Sequence, residues 1–523
     1  MTNDTPSNSA STLEQLLQDA KLLENKRDFE AAHSCYVNIL KQYPNDPVAC
    51  YEFGVFLNHI GHYNLAKNYL AAVLKIQPNH ADAWLALGVS LQELKVDKES
   101  EKCYRLALSL NPNLAAAYAN LGILHRRQGL YQEAIQYYQK ALALDPGLAG
   151  ILVALGLAYS LIGDNEQALI TLKKAILVTP NNAKAYGSLG QVLQLTHHYD
   201  EALLCYQKAL SIDPDNNETR FNLGFYYLQQ GDFKQGLPLY EARWLLPTAN
   251  PVRSQFIYPR WQGESLHEKT LLIFTEQGYG DTINFCRYIP LIDKGNGKII
   301  LNCVADLVPL MKTLPGIDQI IIRDQPNPTV DYYIPLQSLP LIFNTTLETI
   351  PAQIPYLKTD PATAAYWQDY FSVEPDKLKV GICWRGRRNL VNSINRTCGL
   401  NYFLPLMELE NSVFYSLQKD ILPEEKTAST KMVILADQMQ NFSDTAAIIE
   451  QLDLVITIDT AVAHLAGALN KPVWNLLPYF ADWRWLLDRS DTPWYPSMRL
   501  YRQSVANEWD SVFTQVWNDL QQV

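Results

Sequence analysis

Two short runs in this 523-residue chain combine residue types that chemistry uses, each placed where a strand gives way to a helix. The first is EQGYGDT, residues 276–282. Gly278 and Gly280 let backbone come close to a ligand, and Asp281 projects at the start of the helix, where it either caps that helix or faces whatever the loop holds. The second run is TIDTAVAHLAGAL, in which Asp459 and Thr460 end a strand and His464 lies one turn into the next helix. Backbone N–H groups and the helix dipole at such a start form an anion site suited to a diphosphate. The plainer reading is that Asp459 caps and His464 is a satisfied core residue.

The elements that must position these loops follow from periodicity. From Lys269 onward, apolar strand runs alternate with amphipathic helices: LLIFTE, the helix TINFCRYIPLI, KIILNCV, a helix over Asp306–Leu314, and DQIIIR. After a Pro-rich passage (Pro335, Pro340, Pro351, Pro355) the alternation resumes with KVGICW, SVFYSLQ, MVILA, FSDTAAIIEQL, LVITID, TAVAHLAGAL and PVWNLL. Strands alternating with helices predict parallel sheets with helices on both faces. A break near Leu357–Lys379 splits this half into two Rossmann-like lobes, residues 271–362 and 378–523, closed by a final helix near Ser504–Leu520. Ligands in such sheets bind outside the carboxyl ends of the strands, where both loops fall.

The first half is periodic in another way. Prolines at 44, 78, 112, 146, 180 and 214, glycines at 54, 88, 122, 156, 190 and 224, and small residues from Ala32 to Ala202 all recur every 34 residues. After a polar tail, residues 1–12, this pattern resembles the tetratricopeptide (TPR) repeat over residues 13–246, in about seven helix pairs, and predicts an α-solenoid. The seventh is degraded, with Gly236 in place of Ala and the sequence LYEARW reading as a cap. The linker 247–270 carries Phe256, Tyr258 and Trp261, too aromatic for a loose tether, which predicts rigid docking of the superhelix beside the crevice. The resemblance implies a concave surface for a protein or peptide partner. Asn120 and Asn222 share a helix position from which a peptide backbone could be gripped, although Ala86, Ala154 and Ser188 occupy it elsewhere.

The two loops, in this order and on two Rossmann lobes, resemble the family 9 glycosyltransferases, whose best-known members are ADP-heptose transferases of lipopolysaccharide assembly. The likeness covers about residues 268–520 and is strongest to bacterial proteins that fuse TPR repeats to such a domain, through EQGYGDTINFCRYIPL, VITIDTAVAHLAGALNKPVW and DWRWLLDRSDTPWYP. It implies the metal-independent GT-B fold, with Asp281 at the position of the general base and Asp459, Thr460 and His464 in the loop that holds the donor diphosphate. Ala461 stands where the family commonly has Gly, and WRGRRNLVNSINRT has no secure counterpart, which leaves the sugar open.

A metal-dependent transferase needs a DxD at the sheet edge; Asp213-Pro214-Asp215 sits in a repeat turn and is explained by turn chemistry. With no metal or other cofactor expected, a leaving diphosphate requires cations. Arg385, Arg387, Arg388 and Arg396 follow one strand and Lys419 another. The aromatic run Trp474, Tyr479, Trp483, Trp485, Trp494 and Tyr495 reads mainly as packing, with one or two rings left to stack on a base or sugar.

Composition narrows the partners. Forty-three Lys+Arg against 54 Asp+Glu give a net charge of −11, which argues against a nucleic-acid footprint and against a polybasic membrane anchor. The polar start has no signal-peptide pattern, the uncharged Pro146–Gly163 falls in register with the repeat, and eight cysteines without a CxxC pair read as reduced thiols. The expectation is a cytoplasmic, inverting glycosyltransferase that moves a sugar from a nucleotide-diphosphate donor to an acceptor, similar in plan to the O-linked N-acetylglucosamine transferases and therefore a polypeptide. The alternative is a non-catalytic TPR scaffold with a retired transferase-like domain.

Overall fold

The computed structural model describes residues 12–249, 256–372, 377–386, 396–428 and 430–523. Arg387 and Arg388 lie outside the described residues. The chain divides into two compact units, residues 1–214 and 215–523.

The first unit is a stack of six helix pairs, from Leu13–Asn25 with Phe29–Gln42 to Ala183–Leu195 with Tyr199–Ile212. The periodic glycines are seats for side chains of the paired helix. A Cβ at Gly88 or Gly122 would come 2.5 Å from the ring of Tyr104 or Tyr138, and one at Gly156 would come 2.6 Å from Leu172. The buried tyrosines then return a hydrogen bond to the first helix, Tyr104 to Gln92 at 3.1 Å and Tyr206 to Gln194 at 2.7 Å. Each pair turns through a left-handed residue that also steps by 34: Gly61, Gly129, Gly163 and Gly231, but Arg27, Lys95 and His197 in the other repeats.

A seventh pair, Asn217–Gln229 with Phe233–Tyr240, belongs to the second unit. Here Gly224 faces the backbone of Tyr240, with a Cβ 2.5 Å from its nitrogen, so the two helices approach more closely than in the other pairs. LYEARW continues as a 3-10 turn, Glu241–Leu245.

The rest of this unit is α/β. Strands β1 (Thr270–Phe274), β2 (Lys298–Cys303), β3 (Gln319–Ile322) and β4 (Tyr332–Pro335) form a parallel sheet in the order β3-β2-β1-β4. Strands β5 (Leu378–Cys383), β6 (Ser412–Ser416), β7 (Met432–Ile434), β8 (Leu454–Ile458), β9 (Val473–Leu477) and β10 (Met498–Arg502) form a second parallel sheet, ordered β10-β9-β8-β5-β6-β7. The architecture is an α-solenoid followed by two Rossmann-like lobes. Strand order reverses between β1 and β4 in one sheet and between β5 and β8 in the other, and such switch points are where open α/β sheets bind ligands. The loop EQGYGDT follows β1, Arg385 and Arg396 follow β5, and Asp459–His464 follows β8. Lys419 follows β6, one strand away.

Three expectations are corrected in detail. TINFCRYIPLI is a short α-helix, Tyr279–Phe285, that tightens into a 3-10 segment, Cys286–Leu291, because Pro290 cannot continue the ladder. The helix between β2 and β3 shrinks to Ala305–Met311 in 3-10 and α form, and the final helix is Asp510–Leu520. β4 and β10 are additional edge elements. Part of the linker pairs with β4: Trp261 donates to the Tyr333 carbonyl at 2.9 Å, and Phe256 stacks on Tyr333 with ring centroids 4.5 Å apart. Six of the eight free cysteines are buried, with Cys35 and Cys205 half-buried.

Two glycines of one repeat test this reading of the solenoid. Gly150 stands in the first turn of the helix Ala149–Leu161 with open space around its Cβ, whereas Gly163 holds φ +84. Gly150→Ala should stabilise the chain by about 0.5–1 kcal/mol, and Gly163→Ala should destabilise it by about 1 kcal/mol, both read by equilibrium denaturation followed by circular dichroism.

Candidate active site

The loop after β1 is held from both sides. Arg323, at the end of β3, donates to the carbonyl and the hydroxyl of Thr275, the latter at 2.9 Å. On the other side Arg243, from the LYEARW turn, places Nε and Nη2 at 2.8 and 2.7 Å from one oxygen of Glu276. Arg243, which is buried, also pairs with Glu241, which pairs with Arg260, so a chain of charges ties the turn after the last repeat to this loop. Burial, reinforced by Glu241 and Asp281, outweighs Arg243 and pushes the Glu276 carboxyl up to about 7.

Asp281 does the plain structural job and something more. One carboxylate oxygen accepts the Gly278 N–H at 3.0 Å, which caps the helix Tyr279–Phe285. The other takes an ion pair from Arg484, in the 3-10 turn Trp483–Trp485 of the second lobe. At Gly280 the lobes meet closely: a Cβ there would lie 2.7 Å from Cδ2 of His464 and 3.5 Å from Cα of Ala461. The two loops singled out by sequence therefore converge.

On the other side of that contact, Thr460 occupies the cap position of the helix Ala461–Ala468 in extended backbone, its hydroxyl 3.2 Å from that of Thr457. His464 is buried, stacked on Trp485 with centroids 5.2 Å apart, and its Nδ1 lies 3.0 Å from the Tyr495 hydroxyl. Tyr495 in turn accepts from Asn284 at 2.8 Å. Arg287 completes the seam by donating to the Trp494 carbonyl at 2.8 Å and the Tyr356 hydroxyl at 3.0 Å. Burial and the charges of Arg484, Arg287 and Arg396 drive the His464 imidazole well below its ordinary value, so it stays neutral.

The expected cations separate into two groups. Arg385 is paired with Glu425 and donates to the Asp420 carbonyl, and the Lys419 ammonium donates to the carbonyls of Ala436 and Met439. Arg396, by contrast, acts electrostatically on both Asp459 and His464. Arg484 joins it there, a residue that sequence reasoning counted only inside an aromatic run. Trp483, Trp485, Trp494 and Tyr495 are fully buried, so the packing reading of that run holds for them. Asn120 and Asn222 are both half-buried and lie in different compact units. Among the described residues, no three His, Cys, Asp or Glu side chains gather as a metal-ligand set, and no helix is long and apolar enough to cross a membrane.

Asp459 is held at an energetic cost. Its carboxyl is buried 3.9 Å from the neutral His464, and burial, with the charge of Asp482, pushes it up to about 6 against the pull of Arg396 and Arg484. A carboxyl raised in the folded state binds more protons there than when unfolded, so stability falls as pH rises from about 4 to 6 and stays low above that. Ionising a carboxyl held about two pH units above its ordinary value costs roughly 3 kcal/mol. Asp459→Asn should therefore stabilise the protein by about 2–3 kcal/mol at pH 8, a gain that vanishes below pH ~4 in denaturation curves.

Comparison with known proteins finds two kinds of family match. Tetratricopeptide-repeat models match residues 47–80, 81–114, 115–148, 149–182 and 198–231. The glycosyltransferase family 9 (heptosyltransferase) model matches residues 418–478, which contain Asp459, Thr460 and His464. Protein FlbA of Caulobacter vibrioides is 26% identical over 314 residues, 55% of this chain and 52% of the relative, so the chain spans about half of that protein's length. Among solved structures, MamA is 27% identical, covering 31% of this chain and 94% of its own at a TM-score of 0.29. YrrB, described as a TPR protein with an unusual peptide-binding site, is 20% identical, with 35% and 97% covered at a TM-score of 0.29. The chain thus joins an array of tetratricopeptide repeats to a C-terminal domain of the glycosyltransferase family 9 type.

Proposed function

We propose that the protein is an inverting, metal-independent glycosyltransferase that uses a nucleotide-diphosphate sugar. The observation that carries this reading is the convergence of Gly280 and His464, which brings the Asp281 loop against the Asp459–His464 loop at the carboxyl ends of two parallel sheets. In the proposed step, an acceptor hydroxyl oxygen attacks the anomeric carbon as the bond from that carbon to the diphosphate oxygen breaks. The hydroxyl proton passes to Asp281, and the electron pair leaves with the diphosphate. The start of the helix Ala461–Ala468, with Thr460 and a neutral His464 as hydrogen-bonding groups, receives the diphosphate. Arg396 supplies positive charge.

The acceptor in this reading is a polypeptide held by the repeats. Tetratricopeptide arrays offer extended surfaces suited to protein partners, and a chain of net charge −11 is poorly matched to an anionic lipid surface.

Two variants separate the parts of this function. Asp281→Asn should lower turnover by at least about 100-fold while leaving nucleotide-sugar affinity intact; unchanged turnover would remove Asp281 from the mechanism. Deleting residues 1–180 should spare hydrolysis of the donor by water but eliminate transfer to the protein acceptor, read by mass spectrometry of the acceptor. Full-rate glycosylation by the truncated chain would give the repeats some other task.

A further inference from the structure

We propose that Arg484 is a positioning residue for Asp281, reaching it from the opposite lobe so that the base is set only while the lobes are closed on each other. This inference rests on the transferase reading above. Asp281 belongs to the loop after β1, and Arg484 stands 203 residues later in the turn after β9. With one carboxylate oxygen held by the Gly278 N–H at 3.0 Å and the other by Arg484 Nη2, the Asp281 carboxylate has a single orientation. Each oxygen keeps a further lone pair for an incoming hydroxyl proton.

Arg484 is itself immobilised. Its Nη1 donates to Asp482 at 2.9 Å, and its guanidinium lies over the rings of Phe285 and Trp483, 4.9 and 5.3 Å from their centroids. The side chain is 6% exposed. The turn that presents it ends in Leu486 at φ 55 and ψ −161, a backbone conformation that side-chain-bearing residues rarely adopt, with the Leu486 N–H bonded back to the Trp483 carbonyl at 3.0 Å. Such strain persists where the surroundings over-determine it and collects at working sites. Here the surroundings include the last repeat pair. Phe233 and Tyr240 pack edge-on against Trp483 at 5.6 and 6.0 Å, and Gln229 donates to the Ala481 carbonyl at 3.4 Å. The same pair, through Arg243 and Glu276, braces the loop that carries Asp281. Both ends of the ion pair are thus braced from the last repeat pair and the 3-10 turn that follows it. Arg484 touches no reacting atom and acts through the carboxylate it orients.

The test uses the full chain and release of nucleoside diphosphate from UDP-, GDP-, ADP- and dTDP-glucose, with water as acceptor. Arg484→Met should lower kcat about 100-fold, as displacement of a catalytic group does, with donor KM within about threefold of wild type. Arg484→Lys should recover at least about a tenth of the wild-type rate, and adding Arg484→Met to Asp281→Asn should leave that variant's residual turnover unchanged, because coupled residues are not additive. If Arg484→Met does not fold, Asp482→Asn, which releases the second partner of Arg484, should give the same fall in kcat at constant KM. An unchanged kcat, a loss confined to KM, or a loss that adds to that of Asp281→Asn would overturn the proposal. Wild-type turnover of none of these donors, with no thermal stabilisation by any, overturns the transferase reading and this inference with it.

Discussion

The second unit depends on a close approach of two backbones, at Gly280 and at the first turn of the helix that carries His464. No side chain fits at residue 280 without displacing the His464 imidazole. A glycine there brings the loop after β1 against the loop after β8, and the rest of the seam follows from that distance. Asn284 reaches Tyr495, Arg287 reaches Trp494, and Asp281 reaches Arg484 because the first helix of one lobe lies directly on the other.

Closing two lobes this tightly buries charge, and charge is what distinguishes this seam from ordinary packing. Asp281 and Asp482 pair with Arg484, and Asp459 feels Arg396 and Arg484, while burial, with the charges of Arg484, Arg287 and Arg396, keeps His464 neutral. Buried ion pairs seldom repay their desolvation in stability. A core built for stability alone would fill this space with apolar groups, as it does a few ångströms away with Trp483, Trp485 and Trp494. The last repeat pair contributes to both sides of the balance, supplying aromatic packing against Trp483 and a buried arginine for Glu276. By compactness it belongs to the α/β unit.

How much of this was legible in the sequence depends on whether a feature is periodic. The repeat was legible because every pair must solve the same packing problem, so Gly and its large partner recur at a fixed step. The convergence of the two loops was legible only as far as both follow strands of parallel sheets, since glycine and aspartate between a strand and a helix also serve to cap it, as Asp281 does. β4 and β10 were not, since short edge strands such as YYIP and MRLYR lack the apolar run of a central strand. Charge alone does not reveal how the cations are engaged: Arg385 is paired with Glu425, and Lys419 donates to two carbonyls. Arg484 was hidden in a three-residue turn between tryptophans, where its partner is chosen by the fold across 203 residues.

The central claim is that the two converging loops form one donor site. Calorimetric titration of the full chain with UDP, GDP, ADP and dTDP tests it most directly. One of these nucleotides should bind saturably at one site per chain, and His464→Ala should weaken that binding by at least about tenfold, the equivalent of 1.4 kcal/mol. Binding by none of the four, or binding untouched by the loss of His464, would contradict it.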